Sequence, residues 1–461
     1  MPKSQKPISR DKLSRIMKKN GTAVHFVGIG GVSMYSLARL MLSRGCAVSG
    51  SDREIGDYAR DLVGRGVSVH EGHDRTLING AEIVVYSSAI AEDNPELVAA
   101  REAEIPVVSR AELMGALMMD YGTRIGISGT HGKSTTTAIL AQILTHCGTD
   151  PTVALGAPMP DGLPLREGGR GTFLYEACEY KDAFLRFHPT IAVALNLEMD
   201  HPDYFKNVKE LRESFRRALS RAERFALVNV DDENLAIVLK GLKAPVITYG
   251  QGSRATYRYL IESFLDHGFT FSLWKYGQRV GKFTLNIPGV FNVNNAAAAV
   301  IVALELGLTA ESISEALSEF RGVPRRLEFI GERYGRPVFY DYAHHPTEIA
   351  ASLNAVKLMT HGLVTVVFKP HTFTRTQSLW EEFRLSLGIA DYSLIAPIYP
   401  AREEPIHGIS SERLADELGL HSKFVEDYEV ASALDSFTHG AIVIMGAGDM
   451  EDIRRDVLYK P

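Results

Sequence analysis

Cysteine is nearly absent from this chain: Cys46, Cys147 and Cys178 are the only three, and none stands at a metal-ligand spacing. A disulfide framework and a zinc ribbon are both disfavoured, and the usage is that of a reducing compartment. Long apolar runs are missing too, since the longest, Ala296 to Leu304, is far short of the roughly 20 residues needed to span a bilayer. The first segment, Met1 to Asn20, is polar and basic and lacks the apolar core of a signal peptide. There is no basic surplus: 50 Lys and Arg against 56 Asp and Glu give a formal net charge of -6, which argues against non-specific nucleic-acid binding. Low-complexity segments and short-period repeats are also lacking. These absences leave a cytoplasmic globular protein with no nucleic-acid partner and no membrane insertion.

The chain does have material for several cores, with 45% apolar and 23% charged residues in 461. Ala23 to Val27 reads as a buried strand running into Gly28-Ile29-Gly30-Gly31 and a helical pattern at Met34, Leu37, Ala38 and Met41. Strands at Ala47 to Ser49, Ile83 to Tyr86 and Val107 to Val108 follow, alternating with helices. A second unit opens with strand Ile125 to Ser128, continues through strands near residues 172, 191, 225 and 246, and includes a period-two stretch from Ala255 to Ile287 that predicts an antiparallel meander. A third α/β unit follows Gly322-Val323-Pro324. The fold class is therefore α/β in three domains. A Rossmann-like N-terminal domain is expected over 1–120, a central P-loop ATPase-type α/β domain with a small meander over 121–322, and a Rossmann-like C-terminal domain over 323–461.

The strongest chemical signal is Gly129-Thr130-His131-Gly132-Lys133-Ser134-Thr135 between a strand and a helix. Glycines let backbone N–H groups meet phosphates, Lys133 suits the β and γ phosphates, and the Ser134 hydroxyl suits Mg2+. The spacing departs from the general phosphate loop, with two residues rather than four between the glycines. The Gly28 to Gly31 turn is weaker: with Asp52 at the end of the second strand it resembles a dinucleotide fingerprint, yet Ser33 stands where the third glycine belongs. Taken alone, that domain also reads as an NAD-dependent dehydrogenase. Hard oxygen ligands for magnesium cluster at Glu176, Glu179, Glu198, Asp200 and Asp203, with His201 among them. At two strand ends of the third unit, Asp341 to Glu348 and Lys369 to Thr376, histidines and Arg375 predict a carboxylate pocket.

Together these segments resemble the Mur ligase family. The resemblance runs from Gly28 to Asp449 and includes Ser87-Ser88-Ala89-Ile90, Arg110-Ala111-Glu112, Asn196-Leu197-Glu198 with Asp200-His201, Arg325-Arg326, His344-His345-Pro346-Thr347-Glu348, Pro370-His371 with Thr374-Arg375-Thr376, and Gly446-Ala447-Gly448-Asp449. It implies ATP-dependent amide formation, with UDP-N-acetylmuramate and L-alanine as partners, ATP and Mg2+ as cofactors, and a monomer or weak homodimer. It further implies UDP-sugar contacts at Gly28, Ile29, Gly30, Gly31, Asp52 and Ser88, and ATP contacts at Gly129 to Thr135 with Asn292 and Asn295. Ser134, Glu176 and His201 are the implied metal ligands, Lys133, Glu176, His201 and Arg326 the catalytic groups, and His344, His371 and Arg375 the amino-acid contacts. Phe291, Thr372 and Cys178 depart from the family's frequent histidine, arginine and aspartate. The family also contains enzymes that attach a recycled tripeptide to the same sugar, but the expansion they carry after Glu179-Tyr180 is missing here. A non-enzymatic nucleotide sensor is the remaining alternative.

Because the implied contacts lie on different domains, binding ATP and sugar together is expected to close the molecule. Small-angle scattering checks this: the radius of gyration should fall when both ligands are present, and identical curves would contradict closure.

Overall fold

The computed structural model describes residue 8 and residues 10–159, 162–265, 267–401, 403–437 and 439–459. Residues 1–7 and 9 of the polar leader lie outside the described residues. The leader's remainder forms a helix, Arg10–Met17, that buries Leu13 and Met17, an element its polar composition conceals.

The chain divides into two compact units, one built from residues 1–129, 148–196 and 212–247 and the other from 130–147, 197–211 and 248–461. In the first, five parallel strands lie in the order Ser68–Glu71, Ala47–Asp52, Ala23–Val27, Ile83–Tyr86, Val107–Ser109. The order reverses beside Ala23–Val27, so the Gly28 turn emerges at the switch point of the sheet, where open α/β folds bind ligands. Sequence patterning predicts four of these strands. Ser68–Glu71 escapes it because it is a polar edge strand with three half-exposed or exposed neighbours for each apolar side chain, and so carries no apolar alternation.

The same unit holds strand Thr123–Ser128 between the parallel strands Gly169–Glu176 and Ile191–Ala194, with Phe225–Asn229 beyond the latter. These strands are buried on both faces and read as apolar runs, as parallel strands do. Pro151–Ala154 and the two-residue Leu165–Arg166 extend the other edge and were too short to predict.

In the second unit, helices Lys133–His146 and Phe291–Glu305 pack together, and Gln142 donates to the Ala316 carbonyl (2.8 Å). The alanine-rich face of Phe291–Glu305 is fully buried, because small side chains let two helix backbones approach. Strands Tyr257–Leu265, Gly268–Lys275 and Gln278–Leu285 form the predicted antiparallel meander. The C-terminal sheet has six strands in the order Glu328–Arg333, Arg336–Asp341, Ala441–Gly446, Val364–Lys369, Tyr392–Ile395, Ser422–Phe424. Only the first pair is antiparallel. Its two outer strands were not predicted, again because edge strands lack an apolar run. Two short helices, Phe373–Ser378 and Trp380–Leu387, follow strand Val364–Lys369, and they are separate because Leu379 leaves helical geometry at φ -117° and ψ 28°. None of the described helices is long and apolar enough to cross a membrane.

Gly268 begins the central strand of the meander where a Cβ would lie 2.0 Å from the Leu285 carbonyl oxygen. Gly268→Ala should therefore destabilise the protein by about 1–3 kcal/mol. Thermal unfolding monitored by circular dichroism checks this, and an unchanged midpoint would contradict it.

Candidate active site

Strand Thr123–Ser128 ends just before the glycine loop, and helix Lys133–His146 begins just after it. Gly132 adopts φ +81°, and a Cβ there would stand 2.3 Å from Asn295 Oδ1, so only glycine fits. Among the described residues the helix has no side-chain N-cap, and the positive end of its dipole lies at the glycine loop. Lys133 Nζ donates to the Thr130 carbonyl (3.0 Å), and Arg326 Nη2 donates to Ser134 Oγ (3.3 Å). The side chains of His131 and Lys133 thus lie on this loop, and that of Arg326 reaches it from a distant segment.

Asn292 and Asn295 lie on the first turns of helix Phe291–Glu305. Asn295 donates to Asn292 Oδ1 (3.0 Å) and Asn292 to the Pro288 carbonyl (2.6 Å), so this pair fixes the Pro288 to Phe291 loop against Gly132. That loop borders a cavity of about 780 Å³ lined by Phe264, Phe269, Val290, Phe291, Leu358 and His361.

His131 is the centre of the polar network. Its Nδ1 meets Glu348 Oε1 at 3.0 Å and its Nε2 meets Glu198 Oε2 at 3.3 Å. Burial opposes its charge, but the two carboxylates outweigh burial and raise the imidazole from its ordinary 6.5 to about 9. At neutral pH both ring nitrogens therefore donate. Glu198 is held at about 2, chiefly by that hydrogen bond from His131, and its Oε2 also accepts from Thr347 Oγ1 (2.6 Å). Glu348, buried but pulled well below the carboxylate range by His131 and His344, accepts from the His344 and His345 amides (3.1 and 3.3 Å). It thereby caps helix Pro346–Thr360 while it binds the phosphate-loop histidine.

Burial lowers His345, which stays neutral: its Nδ1 accepts from the Thr347 amide (3.4 Å) and its Nε2 donates to the Met199 carbonyl (3.3 Å). A second ion pair lies beside it. Arg375 Nη2 and Nε reach Asp200 Oδ1 at 2.9 and 3.3 Å, and Arg375 Nη1 donates to His371 Nδ1 (3.1 Å). Although Asp200 is buried, Arg375 holds its carboxyl far below the usual range. Burial, reinforced by Arg375, pushes His371 down to about 4, and burial likewise takes His344 to about 4. His344 Nδ1 donates to the Tyr342 carbonyl (3.0 Å), and its ring lies 6.1 Å from that of His371. Three non-glycine residues in these loops, His201, Arg325 and Thr372, have φ of +55°, +64° and +66°. Each such conformation costs on the order of 1–3 kcal/mol and recurs at functional sites.

In the second unit, then, the loop residues Thr130 to Thr135, Asn292, Asn295, Arg326, His344, His371 and Arg375 stand in one connected neighbourhood with Glu198, Asp200 and Glu348. Sequence reasoning treated Glu198 and Asp200 as metal candidates and gave Glu348 no role. The signal for Glu348 was its position three residues after His345, the spacing of a capping box.

The first unit carries Glu176 at the end of strand Gly169–Glu176, where its Oε1 accepts from the Gly156 amide (2.7 Å). At the other glycine turn, the Gly28 and Ile29 amides both donate to the Ser51 carbonyl (2.8 and 3.0 Å), and Gly30 donates to Asp52 Oδ2 (2.8 Å). Gly31 precedes helix Val32–Ser43 without a side-chain cap, and the Ser88 carbonyl accepts from Lys181 Nζ (3.1 Å).

Magnesium requires hard oxygen donors. In the second unit, Ser134 Oγ, buried at the head of its helix, is of that kind, and in the first unit the Glu176 carboxylate is too. His131, Glu198 and His345 also bring ligand atoms within 4.8 Å of one another. With His131 protonated on both nitrogens, that cluster is filled by a proton and is an ion pair in character.

Comparison with known proteins places matches along most of the chain, from residue 23 to residue 450. The family descriptions "Mur ligase family, catalytic domain", "Mur ligase middle domain" and "Mur ligase, glutamate ligase domain" match residues 23–121, 127–303 and 325–450. The architecture is thus three-domain α/β. The UDP-N-acetylmuramate–L-alanine ligase of Caldicellulosiruptor bescii is 39% identical over 445 residues, covering 94% of this chain and 98% of the relative. Its counterpart in Clostridium novyi is 39% identical over 444 residues, covering 94% and 96%. Among solved structures, UDP-N-acetylmuramate-alanine ligase MurC from Thermotoga maritima superposes with a TM-score of 0.81 at 28% identity, covering 94% of this chain and 98% of that one. A murein peptide ligase from Psychrobacter arcticus shares the fold with a TM-score of 0.72 at 23% identity, over 95% and 98% of the two chains.

The titrations have opposite signs. His131 is raised in the fold, so its stabilisation is complete below its ordinary 6.5 and disappears as pH rises through about 9. His344 and His371 are lowered, so they cost stability as pH falls from 6.5 toward about 4. The melting-temperature difference between wild type and His131→Asn should be largest near pH 6.5 and vanish above about 9. Differential scanning fluorimetry across that range checks this, and a difference that persists in alkali would contradict it.

Proposed function

Because the chain belongs to the Mur ligase family, we propose that it joins L-alanine to the lactyl carboxylate of UDP-N-acetylmuramate at the expense of ATP, in peptidoglycan precursor synthesis. The observation that carries this reading is the bridge from the phosphate loop to the C-terminal strand ends. His131 contacts Glu348, and the Asp200–Arg375–His371 group lies alongside, so a phosphate site and a carboxylate-binding site share one neighbourhood.

We assign the sugar nucleotide to residues 1–120, ATP to 121–322 and the amino acid to 323–461. The lactyl carboxylate attacks the γ-phosphate, breaking its bond to the β,γ-bridging oxygen and releasing ADP, to give an acyl phosphate, and the amine of L-alanine then displaces inorganic phosphate through a tetrahedral intermediate, losing a proton as the amide forms. Bringing a carboxylate to ATP requires neutralising several negative charges together. The Lys133 ammonium, the His131 imidazolium and the Arg326 guanidinium supply fixed positive charge, and the positive end of the dipole of helix Lys133–His146 favours phosphate oxygens. Ser134, Glu176 and His201 are the residues that would hold Mg2+, which would supply further charge neutralisation. Asn292 and Asn295 shape the nucleotide pocket, with Phe291 presenting a ring to the base. His344 and His371 are neutral at pH 7 and, with Arg375, orient the alanine carboxylate. At the first turn, the committed amides of Gly28, Ile29 and Gly30 leave diphosphate binding to the N-terminus of helix Val32–Ser43, with Asp52 and Ser88 at its margins. The protein acts in the cytoplasm as a monomer or weak homodimer.

A dehydrogenase built on the first domain is not favoured, since the matched family spans all three domains. Phosphate release with ATP, Mg2+ and UDP-N-acetylmuramate should require L-alanine, and Lys133→Ala should lower it by about a hundredfold or more without unfolding. Turnover only with a tripeptide would overturn the choice of amino acid. Undiminished release by Lys133→Ala would overturn the role of the loop.

A further inference from the structure

Helix Phe373–Ser378 carries Arg375 but cannot hold itself in place. It has six residues, far fewer than the roughly 12–15 at which an isolated helix becomes even marginal in water, so its position comes from ties to other segments. Thr372 stands at its N-cap, a residue type that ordinarily accepts from the first-turn amides. At φ +66° and ψ 145°, however, its side chain makes no cap hydrogen bond. The acceptor comes instead from Glu403, 29 residues beyond Thr374 in the chain. Its Oε2 accepts from the Thr374 amide (2.8 Å), and its Oε1 accepts from the Thr374 hydroxyl.

The chain that delivers Glu403 is itself registered against this segment. Tyr399 and His371 form a parallel bridge, in which the Thr372 amide donates to the Tyr399 carbonyl and the Tyr399 amide to the Pro370 carbonyl, both at 2.8 Å. Their rings stack, with centroids 5.6 Å apart and planes at 25°. The Tyr399 ring also lies against Gly448, where a Cβ would stand 3.0 Å from it. The Glu403 amide donates to the Pro400 carbonyl (2.9 Å), closing a turn just after Tyr399. Tyr399 and Glu403 therefore hold the segment at two points, His371 and Thr374. What lies next to the second point is Arg375, 7% exposed and the only guanidinium on the helix, reaching Asp200 with Nη2 and His371 with Nη1. A guanidinium binds a carboxylate through a planar fork, so its use depends on the angle at which the fork is presented. An arm this short of helical support takes that angle from its ties, and the Glu403 cap lies one residue from it.

We propose that Glu403 is a positioning residue for amino-acid binding, fixing helix Phe373–Ser378 so that the Arg375 fork meets the carboxylate of L-alanine. This rests on the reading that Arg375 and His371 line the amino-acid pocket. Steady-state phosphate release by the full chain, with each of the three substrates varied in turn, tests it. Glu403→Ala should raise KM for L-alanine roughly tenfold, with kcat and the KM values for ATP and UDP-N-acetylmuramate within about twofold of wild type. Glu403→Gln, which keeps an acceptor oxygen but no charge, should fall between the two. In an Arg375→Lys background, where no fork is left to aim, Glu403→Ala should add less than about twofold to KM for L-alanine. If Glu403→Ala does not fold, Glu403→Gln decides by the same measurements. An unchanged KM for L-alanine, a rise shared equally by all three substrates, or a cost that multiplies in full onto that of Arg375→Lys would overturn the proposal. If Arg375→Lys by itself leaves KM for L-alanine at the wild-type value, the pocket assignment on which the proposal rests is overturned instead.

Discussion

One proton on His131, divided between Glu198 and Glu348, is the interaction on which the site depends. Without it, two buried or half-buried carboxylates would face each other beside a loop intended for phosphates, and repulsion would favour protonating one of them. With it, the loop carries a positive charge whose counter-charges come from the segment after Leu197 and from the first turn of helix Pro346–Thr360. The arrangement is an electrostatic knot that holds through neutral pH and comes undone as His131 loses its proton near 9.

Around this knot, charge is placed by pairing and strain is tolerated. Asp200 and Arg375 neutralise each other in a buried setting where either alone would be costly. The adjoining His344 and His371 are kept neutral, so they can take part in hydrogen bonds without adding to the cation count. Thr372, a β-branched residue at φ +66°, is held by its amide bond to the Tyr399 carbonyl (2.8 Å) and by Thr376 Oγ1 on its own carbonyl (2.7 Å). The rigid strand end beneath, Val364–Lys369, is buried throughout, which lets the loop keep a conformation that a free chain would leave.

Much of this was legible from residue order alone. The apolar strands Ala23–Val27, Thr123–Ser128 and Ile191–Ala194 stand out because both faces are covered, and the glycine loop stands out because few structures need Gly-Lys-Ser between strand and helix. The edge strands Ser68–Glu71 and Ser422–Phe424 left no pattern, since one side of each meets solvent. What no local pattern could reveal was partnership at long range. Glu96 looks like an ordinary helix residue until the fold brings His25 and His73 to it from 71 and 23 residues away. In the same way, Glu348 reads only as a cap until His131 arrives.

The two duties of Glu348 bear on how freely this position can vary. Its Oε2 serves the His344 and His345 amides and its Oε1 serves His131. Glutamine would still cap the helix but would supply no charge for the imidazolium, whereas aspartate would supply charge on an arm one methylene too short to span both. Two unrelated requirements, one of helix architecture and one of phosphate chemistry, intersect at a single side chain, and of the twenty amino acids glutamate alone satisfies both.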